Sequence, residues 1–155
     1  MPVSKKGRPR YHPSAQHARR SKSLYLPMPR ADVDTLMLPF RVALEMVRSG
    51  CANEATARRL ASLVLLVRFL TEAGHGQLDM KDLHNAERTL AEIFDIGHQS
   101  EMWSFPEPAT ETLKQIVNEL ERQLFETRLE AIAAASARLD ALIEKHGTAL
   151  DLRTV

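Results

Sequence analysis

The sequence predicts an all-α protein: a helical bundle of about four helices with a long C-terminal helix and an extended basic N-terminal arm. Apolar residues recur at spacings of three and four from about residue 32 onward. Five of the eight prolines lie in the first 30 residues, whereas residues 110–146 contain neither proline nor glycine. A length of 155 residues suits one domain and a tail. We therefore expect a flexible arm over residues 1–30 and one helical bundle domain over residues 31–155.

The arm is too poor in apolar side chains to offset the conformational entropy lost on ordering. Its one apolar cluster alternates with prolines and comprises Leu24, Tyr25, Leu26 and Met28. We expect this cluster to lie along the body in an extended form. The mobile part of the arm should then end near Ser23.

The first two helices are bounded by capping residues. Asp32 or Asp34 can cap the first helix, which ends at Gly50. Pro39 lies inside this helix, so the helix either kinks at Pro39 or begins there. We expect the kink. Asn53 is the expected cap of the second helix, which Gly74 and Gly76 close. The second helix is almost entirely apolar, so other helices should surround it.

Two further helices are expected. The third runs from about Asp79 to Ile96 and stops at Gly97, and a proline-containing linker over residues 98–108 follows it. From Thr110 to His146 a single helix of ~37 residues would be ~55 Å long. Its apolar stripe slips between Leu124 and Leu129, so no strict heptad repeat is sustained. We expect its first half to pack on the body and its Ala-rich second half to project or to pair with a second copy.

Charge is distributed unevenly between the arm and the body. The chain has a net charge of +1, yet residues 1–30 hold eight Lys or Arg and no Asp or Glu. The remainder therefore holds 13 basic against 20 acidic residues, a net charge of −7. A basic arm on an acidic body points to an anionic partner for the arm.

A short motif in the arm places cations around a Gly-Arg-Pro core: Lys5, Lys6, Gly7, Arg8, Pro9 and Arg10. It resembles the AT-hook, whose extended backbone and arginines enter the narrow minor groove of A·T-rich DNA. A second basic cluster, Arg19, Arg20 and Lys22, would contact phosphates. Two alternatives stay open. The arm could be a cationic tail that attracts any polyanion, RNA included, by counterion release. It could also be a polar leader segment that stays in solvent and binds no partner.

Signals for catalysis, metals and membranes are weak. Cys51 is the only cysteine of the chain. The third helix carries two His-carboxylate pairs, His84 with Glu87 and Asp95 with His98. Neither pair has further metal ligands at a recognisable spacing. No nucleophile elbow or phosphate loop appears. We expect no catalytic residues, no metal and no cofactor. No apolar run is long enough to span a membrane, and the N-terminus lacks the pattern of a secretory leader, so we expect a cytoplasmic protein.

Three residues outside the arm are candidates for binding a protein partner. Trp103 either seals the bundle or anchors a partner. Leu139 and Ile143 belong to the apolar stripe of the last helix, and since that helix is longer than the body needs, we expect a homodimer along residues 125–143.

The order of these elements carries a family resemblance. A basic leader precedes a helix ending in Ser49 and Gly50, the apolar helix is followed by residues 72–76 (Glu-Ala-Gly-His-Gly), and a Trp-containing linker leads to an Ala-rich final helix. Over about residues 31–143 this resembles small proteobacterial proteins, often on phages and plasmids, labelled Fis family transcriptional regulators. The resemblance implies regulation linked to DNA. The helix-turn-helix of Fis itself has no counterpart here, so no functional residue carries over.

The sequence therefore predicts a non-enzymatic nucleic-acid-binding accessory or transcriptional regulatory protein, whose basic arm makes most contacts with DNA, A·T-rich DNA in particular. The alternative is a protein interaction module, such as a phage or plasmid adaptor or inhibitor, with an incidental basic tail. The acidic body disfavours DNA lying across the bundle.

Overall fold

The computed structural model describes residues 22–146 and contains five α-helices in that range. The helices are α1 (Arg30–Arg48), α2 (Glu54–Leu70), α3 (Met80–Ser100), α4 (Glu107–Glu126) and α5 (Leu129–His146). No β-strand occurs among the described residues; Pro27 and Arg128 form an isolated antiparallel bridge. The predicted all-α class is confirmed, with five helices in place of about four. None of these helices is both long and apolar enough to cross a membrane.

Helix α2 is the centre of the bundle. It packs against all four other helices, and 12 of its 17 residues are buried. Only Ala55 and Arg59 of this helix are exposed, both in its first two turns. The prediction that other helices surround the second helix is confirmed.

Local sequence explains how the first helices begin and end. The Asn53 side chain accepts a hydrogen bond from the Thr56 amide at 2.9 Å, as expected for the cap of α2. Gly50, with φ of +70°, ends α1, and the amides of Gly50 and Cys51 donate to the carbonyls of Val47 and Met46. This pair of hydrogen bonds is a Schellman motif, which favours glycine because the residue is left-handed.

The start of α1 differs from the prediction. The helix begins at Arg30, with the Pro29 carbonyl accepting from the Asp32 and Val33 amides, so neither aspartate is the cap. It continues through Pro39, which rules out a start there. Buried side chains on both sides of the proline, among them Met37 and Ala43, hold the two halves against the bundle. Tertiary burial thus offsets the backbone hydrogen bond that Pro39 cannot donate.

The expected helix stop at Gly97 is wrong. Helix α3 continues to Ser100 and ends at Glu101, which adopts a left-handed conformation with φ of 57°. A Cβ at position 97 would lie 2.6 Å from Cε3 of Trp103. Gly97 is therefore explained by the close approach of the Trp103 ring. The connection that follows is shorter than predicted, since α4 begins at Glu107 instead of Thr110.

The single long C-terminal helix is also a wrong prediction. Thr127, buried and extended (φ −92°, ψ 142°), separates α4 from α5. Helix α5 then packs against α2 and buries Ile132 and Ala135. The slip of the apolar stripe between Leu124 and Leu129 marks this break: turning the chain there lets both apolar stripes face the same core.

Candidate nucleic-acid interface

The base of the basic arm is held at the joint between α4 and α5. The Leu129 amide donates to the Leu26 carbonyl, and the Glu130 amide donates to the Leu24 carbonyl, each at 2.9 Å. These two amides belong to the first turn of α5 and have no partner within that helix. The main chain of the arm therefore caps α5, and we call residues 22–30 together with Arg128 the arm root.

The predicted docking of the apolar cluster is confirmed only for Met28, and the expected extended form is wrong for residues 22–26, which form a turn in which the Tyr25 and Leu26 amides donate to the Lys22 and Ser23 carbonyls. Met28 packs against the core, whereas Leu24, Tyr25 and Leu26 remain 40%, 58% and 60% exposed. The segment is thus held mainly by its backbone and by Met28. The side chains of Leu24, Tyr25 and Leu26 stay accessible at the surface.

The cations of the arm root are exposed and have no ion pair among the described residues. They are Lys22, Arg30 and Arg128. Lys22 is the only member of the predicted nucleic-acid set within residues 22–146. Lys5, Lys6, Gly7, Arg8, Pro9, Arg10, Arg19 and Arg20 lie outside the described residues. Arg128 was missed by sequence reasoning because it was placed inside an unbroken helix, far along the chain from the arm.

An open groove of about 750 Å³ lies beside the arm root. Phe69 and the small side chains of Ala131, Ala134 and Ala135 line it, together with the guanidinium groups of Arg128 and Arg138. Arg138 is held in place, because its Cζ lies 3.9 Å from the centre of the Phe69 ring and its Nη1 donates to Glu72 at 2.6 Å. Arg128 has no such constraint.

A polar cluster ties α4 to the turn after α2. Glu119 is buried and accepts from the Gln77 amide at 2.8 Å and from Arg122 Nη2 at 2.7 Å. Arg122 Nη2 also donates to the His75 carbonyl at 2.8 Å. Burial alone would raise the pKa of Glu119, but these hydrogen bonds from Arg122 and Gln77 outweigh it and lower that pKa below 4.5.

The lowered pKa predicts a dependence of stability on pH. The stabilisation from Glu119 is fully present above its unfolded-state pKa of about 4.5 and is lost as the pH falls through the folded-state pKa. Glu119→Gln should therefore lower the melting temperature at pH 7 and reduce its fall on acidification. Thermal unfolding between about pH 7 and pH 3 measures both effects. Glu92→Gln, at an exposed position, is the matched control; equal pH profiles for the two variants would contradict the assignment.

The other predicted binding residues lie within the fold. The half-buried Trp103 ring packs edge-on against Phe94 and His98, with ring centres 5.6 and 5.4 Å away. Leu139 is half-buried against the core and Ile143 is half-buried near the end of α5. Trp103 and Leu139 thus stabilise the bundle from within the same chain.

A smaller groove, of about 350 Å³, runs between α3 and α4. Its floor is apolar and includes Leu90, Ile93 and Leu113. Its rim carries the amide side chains of Asn85 and Gln115. No sequence signal identified this groove, because it forms where two helices with ordinary amphipathic patterns come together in the fold.

The sequence predicts that neither of the two His-carboxylate pairs on α3 binds a metal ion. Glu87 points into the bundle, where it contacts Arg68. The His98 imidazole lies 3.5 Å from Glu54 Oε1 on α2. Within residues 22–146, no group of three or more His, Cys, Asp or Glu side chains is placed to hold a metal ion.

Comparison with known proteins returns no similar protein. No protein-family model matches the chain, and no match was found among curated proteins or solved structures. The resemblance to Fis family regulators therefore stays a hypothesis.

Proposed function

We propose that this chain is a non-enzymatic, cytoplasmic nucleic-acid-binding accessory or transcriptional regulatory protein. Its basic N-terminal arm makes most contacts with DNA, and the helical bundle anchors the arm. One observation carries the proposal: residues 1–30 hold eight cations and no acidic residue, whereas residues 31–155 hold 13 basic against 20 acidic residues. In the described range, 14 basic residues face 19 acidic residues, which directs a polyanion away from the bundle and toward the arm.

The anchoring of the arm supports this proposal. Two backbone hydrogen bonds and the buried part of Met28 fix where the arm leaves the bundle. The motif from Lys5 to Arg10 then lies 12 to 17 residues before Lys22, a stretch of at most ~60 Å when extended. The arm is therefore long enough to follow a groove of DNA while the bundle stays beside the duplex.

A homodimer remains part of the proposal, although its original basis has changed. The long projecting helix that suggested it is absent, because α5 folds back on α2. Two copies would still present two arms, and the second contact would gain from a high effective concentration.

The testing experiment removes residues 2–20 and measures binding to A·T-rich and G·C-rich duplexes at several salt concentrations. For the full chain, five to eight neutralised phosphates predict a slope of log K against log salt of about −4.5 to −7. Deletion removes six of the eight arm cations, so it should weaken binding strongly and make the salt slope much less steep, while the thermal unfolding of the bundle is unchanged. Fluorescence anisotropy of labelled duplexes provides the measurement.

Matched variants within the arm distinguish binding in the minor groove from non-specific electrostatic attraction to DNA. Replacing Arg8 and Arg10 with Ala should weaken binding to A·T-rich DNA more than replacing Arg19 and Arg20, since both pairs remove the same charge but only the first flanks Pro9. Equal losses would make the motif a general cationic tail. A flat salt response of the full chain would reject the nucleic-acid proposal.

The second candidate function is a protein interaction module, and the groove between α3 and α4 is the observation that favours it. An apolar floor bordered by amide side chains suits a peptide that buries apolar side chains and hydrogen-bonds through its main chain. A partner that binds equally to the full chain and to the chain without residues 2–20, and that is lost on Ile93→Arg, would support this function over the first.

A further inference from the structure

We propose that Arg128 extends the DNA-contacting surface from the arm onto the bundle, where it binds a phosphate together with Lys22 and Arg30. This inference rests on the proposed function and names the part of the bundle that touches the DNA backbone. It assigns a role to a residue that lies nearly 100 positions beyond the arm in the sequence.

The fold brings these three cations to one corner. Pro27 is bridged to Arg128, and the Leu24 carbonyl accepts from the Glu130 amide, so both chain segments are in direct backbone contact. Lys22 and Arg30 lie within five residues of Pro27 on either side. All three side chains are exposed.

The cations of this corner differ from several other arginines of the bundle, whose charge is neutralised by an ion pair with a carboxylate. Arg41, Arg68 and Arg122 each contact a carboxylate on their own or a neighbouring helix, and Arg138 contacts Glu72 in the turn after α2. Lys22, Arg30 and Arg128 have no ion pair within residues 22–146. An unpaired surface cation beside a basic arm is free to replace a counterion on a phosphate.

Nearby carboxylates leave Arg128 without an ion pair within residues 22–146. Glu126 is paired with Arg122, so it competes little for Arg128. Glu130, Asp32 and Asp34 are exposed and carry negative charge close to the joint, and none of the three forms an ion pair with Lys22, Arg30 or Arg128. Helix α1 begins at Arg30 and α5 begins directly after Arg128, so the N-terminus of each helix adds partial positive charge beside one of these cations.

The experiment compares Arg128→Ala with Arg59→Ala in the full chain. Arg59 is an exposed arginine without an ion pair to any other residue of the 22–146 range. It lies ten residues before Phe69 on α2 and therefore about 15 Å along the helix from the groove beside the arm root. Both variants remove one positive charge. The affinity for a duplex and its salt dependence are measured by anisotropy, and thermal unfolding confirms that each variant folds.

For Arg128→Ala we expect affinity to fall about five- to tenfold at ~0.1 M salt and the salt slope to become less steep by about 0.9, the change for one lost phosphate contact. Arg128→Lys should retain most of the slope, and Arg59→Ala should change affinity less than twofold. Equal effects of the two alanine variants, or an Arg128→Ala loss without a change in slope, would overturn the assignment. Failure of the proposed function is a separate result, because there the full chain itself would show no salt-dependent binding.

Discussion

Replacing Glu87 with Ala is expected to destabilise the bundle by about 3–5 kcal/mol. Glu87 on α3 and Arg68 on α2 form an ion pair in which Oε1 and Nε are 3.2 Å apart, and their side chains are only 6% and 3% exposed. Removal of the carboxylate would leave the Arg68 guanidinium buried beside an empty volume. The Glu72 carboxylate lies 3.5 Å from Arg68 Nε and would still balance part of the Arg68 charge in this variant. We therefore expect a loss of stability toward the lower end of the range of about 3–5 kcal/mol. Urea unfolding followed by circular dichroism measures it.

A double replacement provides the control. Arg68→Met combined with Glu87→Leu removes both charges and preserves most of the volume, so its stability should be close to that of the wild type or higher by about 1–4 kcal/mol. Glu72 keeps Arg138 as a partner in that variant. A Glu87→Ala loss below about 1 kcal/mol, or a double variant less stable than Glu87→Ala, would contradict this account of the pair. Burial raises the pKa of Glu87 although the charge of Arg68 acts to lower it, whereas the pKa of Glu119 is lowered.

Gly97→Ala should destabilise the protein by about 1–3 kcal/mol, although the same change in an open helix interior stabilises by about 1 kcal/mol. The reversed sign follows from the Trp103 ring, whose Cε3, Cδ2 and Cζ3 atoms lie within 2.7 Å of the added Cβ. The ring would have to leave its position beside Phe94 and His98. Because Trp103 is the only tryptophan, its fluorescence reports this displacement directly.

The Trp103→Ala background separates ring displacement from other causes. Without the ring, Gly97→Ala should become stabilising by about 1 kcal/mol, the ordinary gain in helix propensity. If Gly97→Ala remained equally destabilising in that background, contact with Trp103 would not explain the glycine. The result also bears on the predicted partner role of Trp103, since a ring needed for packing within the chain is less available to another protein.

Residues that act on their immediate neighbours were predicted well from the sequence. Asn53 caps α2 and Gly50 closes α1 because both effects depend on a few adjacent backbone groups. The central position of α2 was predictable as well, since a helix without a polar face is stable only when other helices cover it. Arg68 within that apolar run was a signal for a buried ion pair, although its partner Glu87 was not predictable from spacing.

The remaining misassignments depend on contacts between distant segments. Helix propensity favours continuity from residue 110 to residue 146, yet the chain breaks at Thr127, where the amides of Leu129 and Glu130 find the carbonyls of Leu26 and Leu24. The same propensity reasoning favours a stop at Gly97, but the Trp103 ring fills the space that this glycine leaves.

The sequence by itself determined the all-α class, the central apolar helix and the concentration of basic residues in residues 1–30 ahead of a net acidic remainder, because composition and local periodicity specify each of them. Only the tertiary structure decided where the arm meets the bundle and that Arg128 lies beside it. The physical reason is that the free amides at the start of α5 and the carbonyls that satisfy them lie about 100 residues apart in the chain. No local pattern reports which distant backbone groups will complete each other's hydrogen bonds.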